Sequence, residues 1–142
     1  MTIEKDSEKI LKINSLFYEA LGTRNLELMG EVWVKDSRSG CVHPGWTALR
    51  NWEAIRQSWE SVFDPQDQVD ISISNVTVDI NDNIAWVTCL QEMVYIKRDP
   101  VMFNLSQSTN IFEKQNGRWL MIFHHASPIP VRGYEPDKKT IQ

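Results

Sequence analysis

The side chains in this sequence best equipped for chemistry are three histidines, His43, His124 and His125, together with the strand-borne amide Asn110 and the carboxylate Glu92. Imidazole is the side chain whose ordinary pKa lies near neutrality, so a pocket histidine can act as a general base. His124 and His43 are the candidate catalytic residues, with Asn110 as a hydrogen-bond donor beside them. His125, in the opposite strand phase from His124, reads instead as a structural or interface group held by backbone or by Ser127. An enolising isomerase would need a carboxylate base and a separate acid in an apolar site, where burial tunes both. Glu92 supplies one carboxylate without a facing Asp or Tyr, so that chemistry is not expected. Metal binding is not expected either. No two histidines sit four apart on a helix, and adjacent strand residues such as His124 and His125 point to opposite faces. Cys41 and Cys89 have no CxxC partner and read as buried, reduced thiols.

Six tryptophans are spread along 142 residues, a high count that points to a concave aromatic site. Trp33, Trp46, Trp59 and Trp86 are assigned to the pocket wall, Trp52 and Trp119 to packing. Alternation along the strands adds the rest. Trp86, Thr88, Leu90 and Glu92 share one face, as do Ser108, Asn110 and Phe112, and as do Ile122, His124 and Ala126. The predicted ligand pocket is therefore Trp33, His43, Trp46, Trp59, Trp86, Thr88, Asn110, Phe112, His124 and Ala126.

These residues need elements to position them. Ile10, Ile13, Leu16, Phe17, Ala20 and Leu21 recur at helical spacing over residues 4–21, before Gly22. Asn25 can cap a short second helix, and Asn51 a third that aligns Trp52, Ile55 and Trp59 before Asp64 and Pro65 end it. Arg38 to His43 reads as a short strand. Val69, Ile71 and Ile73 alternate in one phase and Val76, Val78 and Ile80 in the other, so a β-bulge is expected at Ser74 and Asn75. Further strands follow over 84–97 and 101–114, and Asn116-Gly117 marks the tip of a last long hairpin from Leu105 to Ser127. Helices followed by long bent antiparallel strands make an α+β plan, a cone-shaped curved sheet enclosing the N-terminal helices. One domain over 1–131 and a frayed tail over 132–142 are expected. The last strands are apolar in both phases. A homodimer through the convex sheet face is the expected cover.

Composition narrows the partners. A net charge of −4 gives no reason to meet nucleic acid. No apolar run reaches the roughly 18 residues of a membrane span, and the charged first residues do not read as a signal peptide, so a cytoplasmic protein is expected.

Cys41-Val42-His43-Pro44, the stretch from Gly45-Trp46 through Trp52 to Trp59, Thr109-Asn110-Ile111-Phe112, Asn116-Gly117-Arg118-Trp119 and His125-Ala126-Ser127-Pro128 resemble the SnoaL-like domains of the nuclear transport factor 2-like superfamily. The resemblance covers roughly residues 7–131 and is similar in detail to the association domain of calcium/calmodulin-dependent protein kinase II. It implies a cystatin-like cone fold shared with ketosteroid isomerase and scytalone dehydratase. The kinase domain's three pocket arginines align with Thr88, Asn110 and Ala126, so an anion pocket of that kind is not implied here. The function expected first is a dimer binding a small, largely apolar organic molecule, without a cofactor. A lyase, isomerase or hydrolase with a pocket histidine as base comes second, and an assembly module without a ligand third.

Overall fold

The computed structural model describes residues 5–130. Helix α1 spans Asp6–Thr23 and buries Ile10, Phe17, Ala20 and Leu21 on its expected apolar face. It passes Gly22 and ends at Arg24, whose left-handed backbone (φ 55°) turns its N–H back onto the Ala20 and Leu21 carbonyls. Helix α2 is Leu26–Val32, capped as expected: Asn25 Oδ1 accepts from the Leu28 N–H at 3.0 Å. Helix α3, Trp52–Val62, starts the same way, with Asn51 Oδ1 accepting from the Ala54 N–H at 2.9 Å.

The strands are β1 (Gly40–Val42), β2 (Leu49–Arg50), β3 (Val69–Asn81), β4 (Ile84–Tyr95), β5 (Met102–Gln115) and β6 (Arg118–Pro128). They form one open, curved sheet in the order β2-β1-β6-β5-β4-β3, and the fold is α+β. Each pairing is antiparallel except β1 with β6, a parallel pair that the chain order of the strands did not announce. Gly40 lies beside Phe123 in that pair, so close that a Cβ would stand 2.3 Å from its ring.

Two bulges bend the sheet. The expected one separates Ser74 and Thr77 on β3, with Asn75 in the left-handed region (φ 53°). A second, unexpected, lies on β6: Ile111 pairs with Phe123 but Phe112 with Met121, leaving Ile122 as the extra residue. The β6 bulge puts Trp119 and Met121 on the inner face together with His124 and Ala126, all buried. The Asn116-Gly117 turn has both φ values positive, 51° and 79°, as its sequence demands.

The helices lie against the inner face and close one core of Ile10, Phe17, Met29, Trp33, Ile55, Trp59, Val87, Phe112 and Met121. The expected tail over 132–142 falls outside the described residues. No helix among the described residues is long and apolar enough to cross a membrane.

Candidate functional site

Where the inner sheet face meets α1 and α3, a cavity of about 200 Å³ remains. Its wall takes His43 and Pro44 from the end of β1, Trp46 from the following loop, Leu21 from α1, and Trp59 and Val62 from α3. Strand β4 adds Gln91, Met93 and Tyr95, strand β5 Asn104 and Ser106, and β6 His124. Among the described residues no Asp, Glu, Lys or Arg lines it. Trp46, 44% exposed, stands at the mouth, and His124, 1% exposed, at the floor.

Aromatic rings connect floor to mouth. Trp59 meets His43 edge-on at 4.5 Å (85°) and lies tilted over His124 at 6.2 Å. Trp46 meets the same His43 ring edge-on at 4.8 Å, and Phe17 backs His124 at 4.6 Å.

Each histidine is fixed from behind. Ser58 Oγ lies 2.6 Å from the Ile55 carbonyl and 2.8 Å from His43 Nε2. One hydroxyl proton cannot serve both, and a carbonyl cannot donate, so Ser58 donates to Ile55 and accepts from His43 Nε2–H. Cys41 Sγ, 4.0 Å from Nδ1 and 3.9 Å from Nε2, does not choose between the ring nitrogens. His124 rests on a buried network one layer below the cavity. Asn110 donates through Nδ2 to Asn14 Oδ1 (2.8 Å) and to the Tyr18 hydroxyl (3.1 Å), leaving its Oδ1 to accept from His124 Nδ1–H at 2.6 Å. The Tyr18 hydroxyl in turn reaches Cys89 Sγ at 3.4 Å. His43 is thus the Nε2–H tautomer and His124 the Nδ1–H tautomer.

Burial holds both rings neutral. It pushes His43 down to about 4, and it pushes His124, with the charges of His43 and His125 adding to the effect, down to about 3. Burial also raises the Tyr18 phenol and the Cys41 thiol, so both stay protonated. Ser58, spent on a backbone carbonyl, is not set up as a nucleophile. Among the described residues no group of three His, Cys, Asp or Glu could hold a metal ion.

Of the residues expected in the pocket, His43, Trp46, Trp59 and His124 line the cavity. Asn110 and Ala126 are buried just beneath it, beside His124 and Ser108 respectively. Trp33 and Phe112 belong to the core instead; Trp33 donates to Met29 Sδ and packs on Phe17 and Trp52. Trp86 and Thr88 correct the expected phase of β4. They share the convex face with Leu90 and Glu92, while Ala85, Val87, Cys89, Gln91 and Met93 point inward. Trp86 is 37% exposed, and Thr88 meets Thr77 at 2.6 Å on that outer surface. Gln91, Met93 and Tyr95 were missed with the same slip, whereas Asn104 and Ser106 continue the β5 face of Ser108 and Asn110, which was expected to point inward but was not followed that far. Register could have found the three on β4: a hairpin turning at Asp99-Pro100 sets Val87 opposite Asn110, which fixes the β4 phase once Asn110 is taken as inward.

A family model for the SnoaL-like domain matches residues 10–132. The chain belongs to the SnoaL-like family. An Arabidopsis thaliana relative, F-box protein SKIP8, is 30% identical over 118 residues, which are 83% of this SnoaL-like chain. The chain spans about half that relative's length, 48%. Among solved structures, a candidate dehydratase of the NTF2-like family from Streptomyces avermitilis is similar at 25% identity and TM-score 0.79, covering 87% of this chain and 96% of that one. A candidate calcium/calmodulin-dependent protein kinase type II association domain from Thiobacillus denitrificans matches at 24% identity and TM-score 0.74, over 83% of this chain and 93% of that one. The latter likeness is one of fold.

Proposed function

We propose that this SnoaL-like domain binds one small, uncharged, largely apolar organic molecule in its cavity and works as a homodimer paired through the convex sheet face. The observation that carries the binding reading is a wall that, among the described residues, has no charged side chain, is rich in aromatic surface and holds a few fixed polar atoms. Small-molecule sites are built in that way. An anionic occupant would lose its hydration there and find no cation in return. The dimer reading rests on Ile84 and Trp86, both exposed on the convex face, with Ile111 and Phe123 beside them. The likeness to an association domain supports assembly of some kind. Two free, buried cysteines suit a reducing, cytoplasmic setting.

Catalysis by His43 or His124 as general base is the second reading. Two neutral histidines in the cavity wall, each with one ring nitrogen left over from its hydrogen bond, and the likeness to a candidate dehydratase favour it. Weighing against it, groups held near 3 and 4 are weak bases at neutral pH, and among the described residues no carboxylate lines the wall to complete an acid–base pair. A substrate whose turnover survives His124→Ala unchanged would remove that residue from the reaction.

Native mass spectrometry of freshly purified protein, followed by denaturing extraction, tests the first reading. A dimer carrying a stoichiometric neutral compound is the expected result. A bare higher oligomer that takes up nothing from an apolar ligand screen would overturn it in favour of an assembly module.

A further inference from the structure

The hydrogen-bond polarity of the cavity floor restricts what can lie against it. His124 lines the cavity, and its Nδ1–H is committed to Asn110 Oδ1 at 2.6 Å, so Nε2 is the nitrogen left for an occupant. An Nδ1–H imidazole offers only a lone pair at Nε2. His43, with Nε2–H committed to Ser58 Oγ at 2.8 Å, keeps Nδ1 in the same acceptor form. Two neutral histidines with opposite tautomers therefore give the deep end acceptors and no imidazole donor. Against either imidazole a ketone or ether oxygen would face a lone pair, and a carboxylate set between the two rings would face both.

Size and shape add to this. An engineered cavity of about 150 Å³ takes benzene, so the 200 Å³ here suits one substituted six-membered ring. Trp59, between the two histidines, provides a flat wall for such a ring.

We propose, resting on the pocket reading above, that the occupant is a neutral hydroxylated aromatic of the phenol class, its ring against Trp59 and its O–H donating to His124 Nε2. The O–H is the specificity determinant. Its replacement by O–CH₃ keeps the ring and the oxygen but removes the donor.

Three probes on one skeleton separate the possibilities: p-cresol, 4-methylanisole and 4-methylbenzoate, each titrated into ¹⁵N-histidine-labelled protein and followed by NMR. The wild-type spectrum is expected to show His124 protonated at Nδ1 and bare at Nε2. p-Cresol is expected to bind at least tenfold more tightly than the other two and to shift the His124 Nε2 resonance. A proton found on Nε2 overturns the proposal at its root. Equal binding of p-cresol and 4-methylanisole overturns the donor requirement and leaves the pocket reading intact. A natural occupant, extracted from the purified protein, that lacks any O–H does the same. If no probe binds and an apolar ligand screen finds no occupant either, both readings fall together.

Discussion

Asn110 joins three elements through one amide, taking Asn14 and Tyr18 of α1 on one side and His124 of β6 on the other. All four side chains are buried, so removing the amide strands polar groups that no solvent reaches. Asn110→Ala is expected to lower stability by about 2 to 4 kcal/mol, the cost of one or two unsatisfied buried groups, as read from urea unfolding; a loss below about 1 kcal/mol would mean the network has little influence on the fold. The histidines give a second expectation. Both start from an ordinary value of 6.5 in the unfolded chain and are held near 4 and 3 when folded. Between pH 6.5 and 4 the unfolded state therefore binds more protons than the folded state. Stability is complete above pH 6.5 and falls as pH drops, by about 1.4 kcal/mol per unit for each ring. Carboxylates join only nearer pH 4. The urea midpoint should be flat from pH 8 to 7 and clearly lower at 5.5, whereas a midpoint unchanged to pH 5 would show that both rings protonate in place. The sequence announced His124, His43 and Asn110 because each is a polar group set among apolar strand residues. It could not announce Ser58, Asn14 or Tyr18, which sit on helices at positions that also read as ordinary helix faces, and whose roles depend on partners 15 to 96 residues away.

Elements with local signals were readable, and those set by distant pairing were not. Asn25 and Asn51 fixed two helix starts through a hydrogen bond three residues long, and Asn116-Gly117 fixed a turn through the φ values it tolerates. The β3 bulge was legible because hydrophobic alternation changes phase within the strand. On β6 both phases are apolar, so nothing marks Ile122 as the extra residue, and only pairing with β5 reveals it. The parallel β1–β6 contact has the same character. Its signature is Gly40, where the Phe123 ring occupies the space of a side chain, with would-be Cβ contacts of 2.3 and 2.5 Å. Gly40→Ala must push the ring or the short strand aside, and is expected to cost about 1 to 3 kcal/mol by overpacking. Gly117 is the contrasting case: nothing lies within 4 Å of its would-be Cβ, and φ is +79°. There Ala should cost about 1 to 2 kcal/mol through backbone conformation alone. Pairing each with Phe123→Ala separates the two causes by chemical denaturation. The second substitution should reduce the Gly40→Ala penalty and leave that of Gly117→Ala unchanged, and equal behaviour would sink the crowding account.

The sheet has two opposed surfaces, one closed by the chain's own helices and one that no element among the described residues covers. The row Asp79, Trp86, Ile111, Phe123 crosses the convex face by direct strand pairing, and Trp86 at 37% exposure is its largest side chain. Aromatic residues near the centre of an interface carry a disproportionate part of its binding energy, and a tryptophan offers about 150 to 250 Å² to bury. Its inward neighbours Ala85 and Val87 sit in the core, so the substitution Trp86→Lys places a charge on the outer surface without opening a hole inside. The variant should therefore run as a monomer at micromolar concentration in native mass spectrometry while keeping its urea midpoint, apart from any part that dimerisation itself contributes. Ligand uptake should also survive, because the cavity is lined from the other face of β4, by Gln91, Met93 and Tyr95. A Trp86→Lys protein that stays dimeric would move the interface away from this row. One that becomes monomeric and loses its ligand as well would tie the pocket to the assembly, a coupling that the two-faced geometry of β4 argues against.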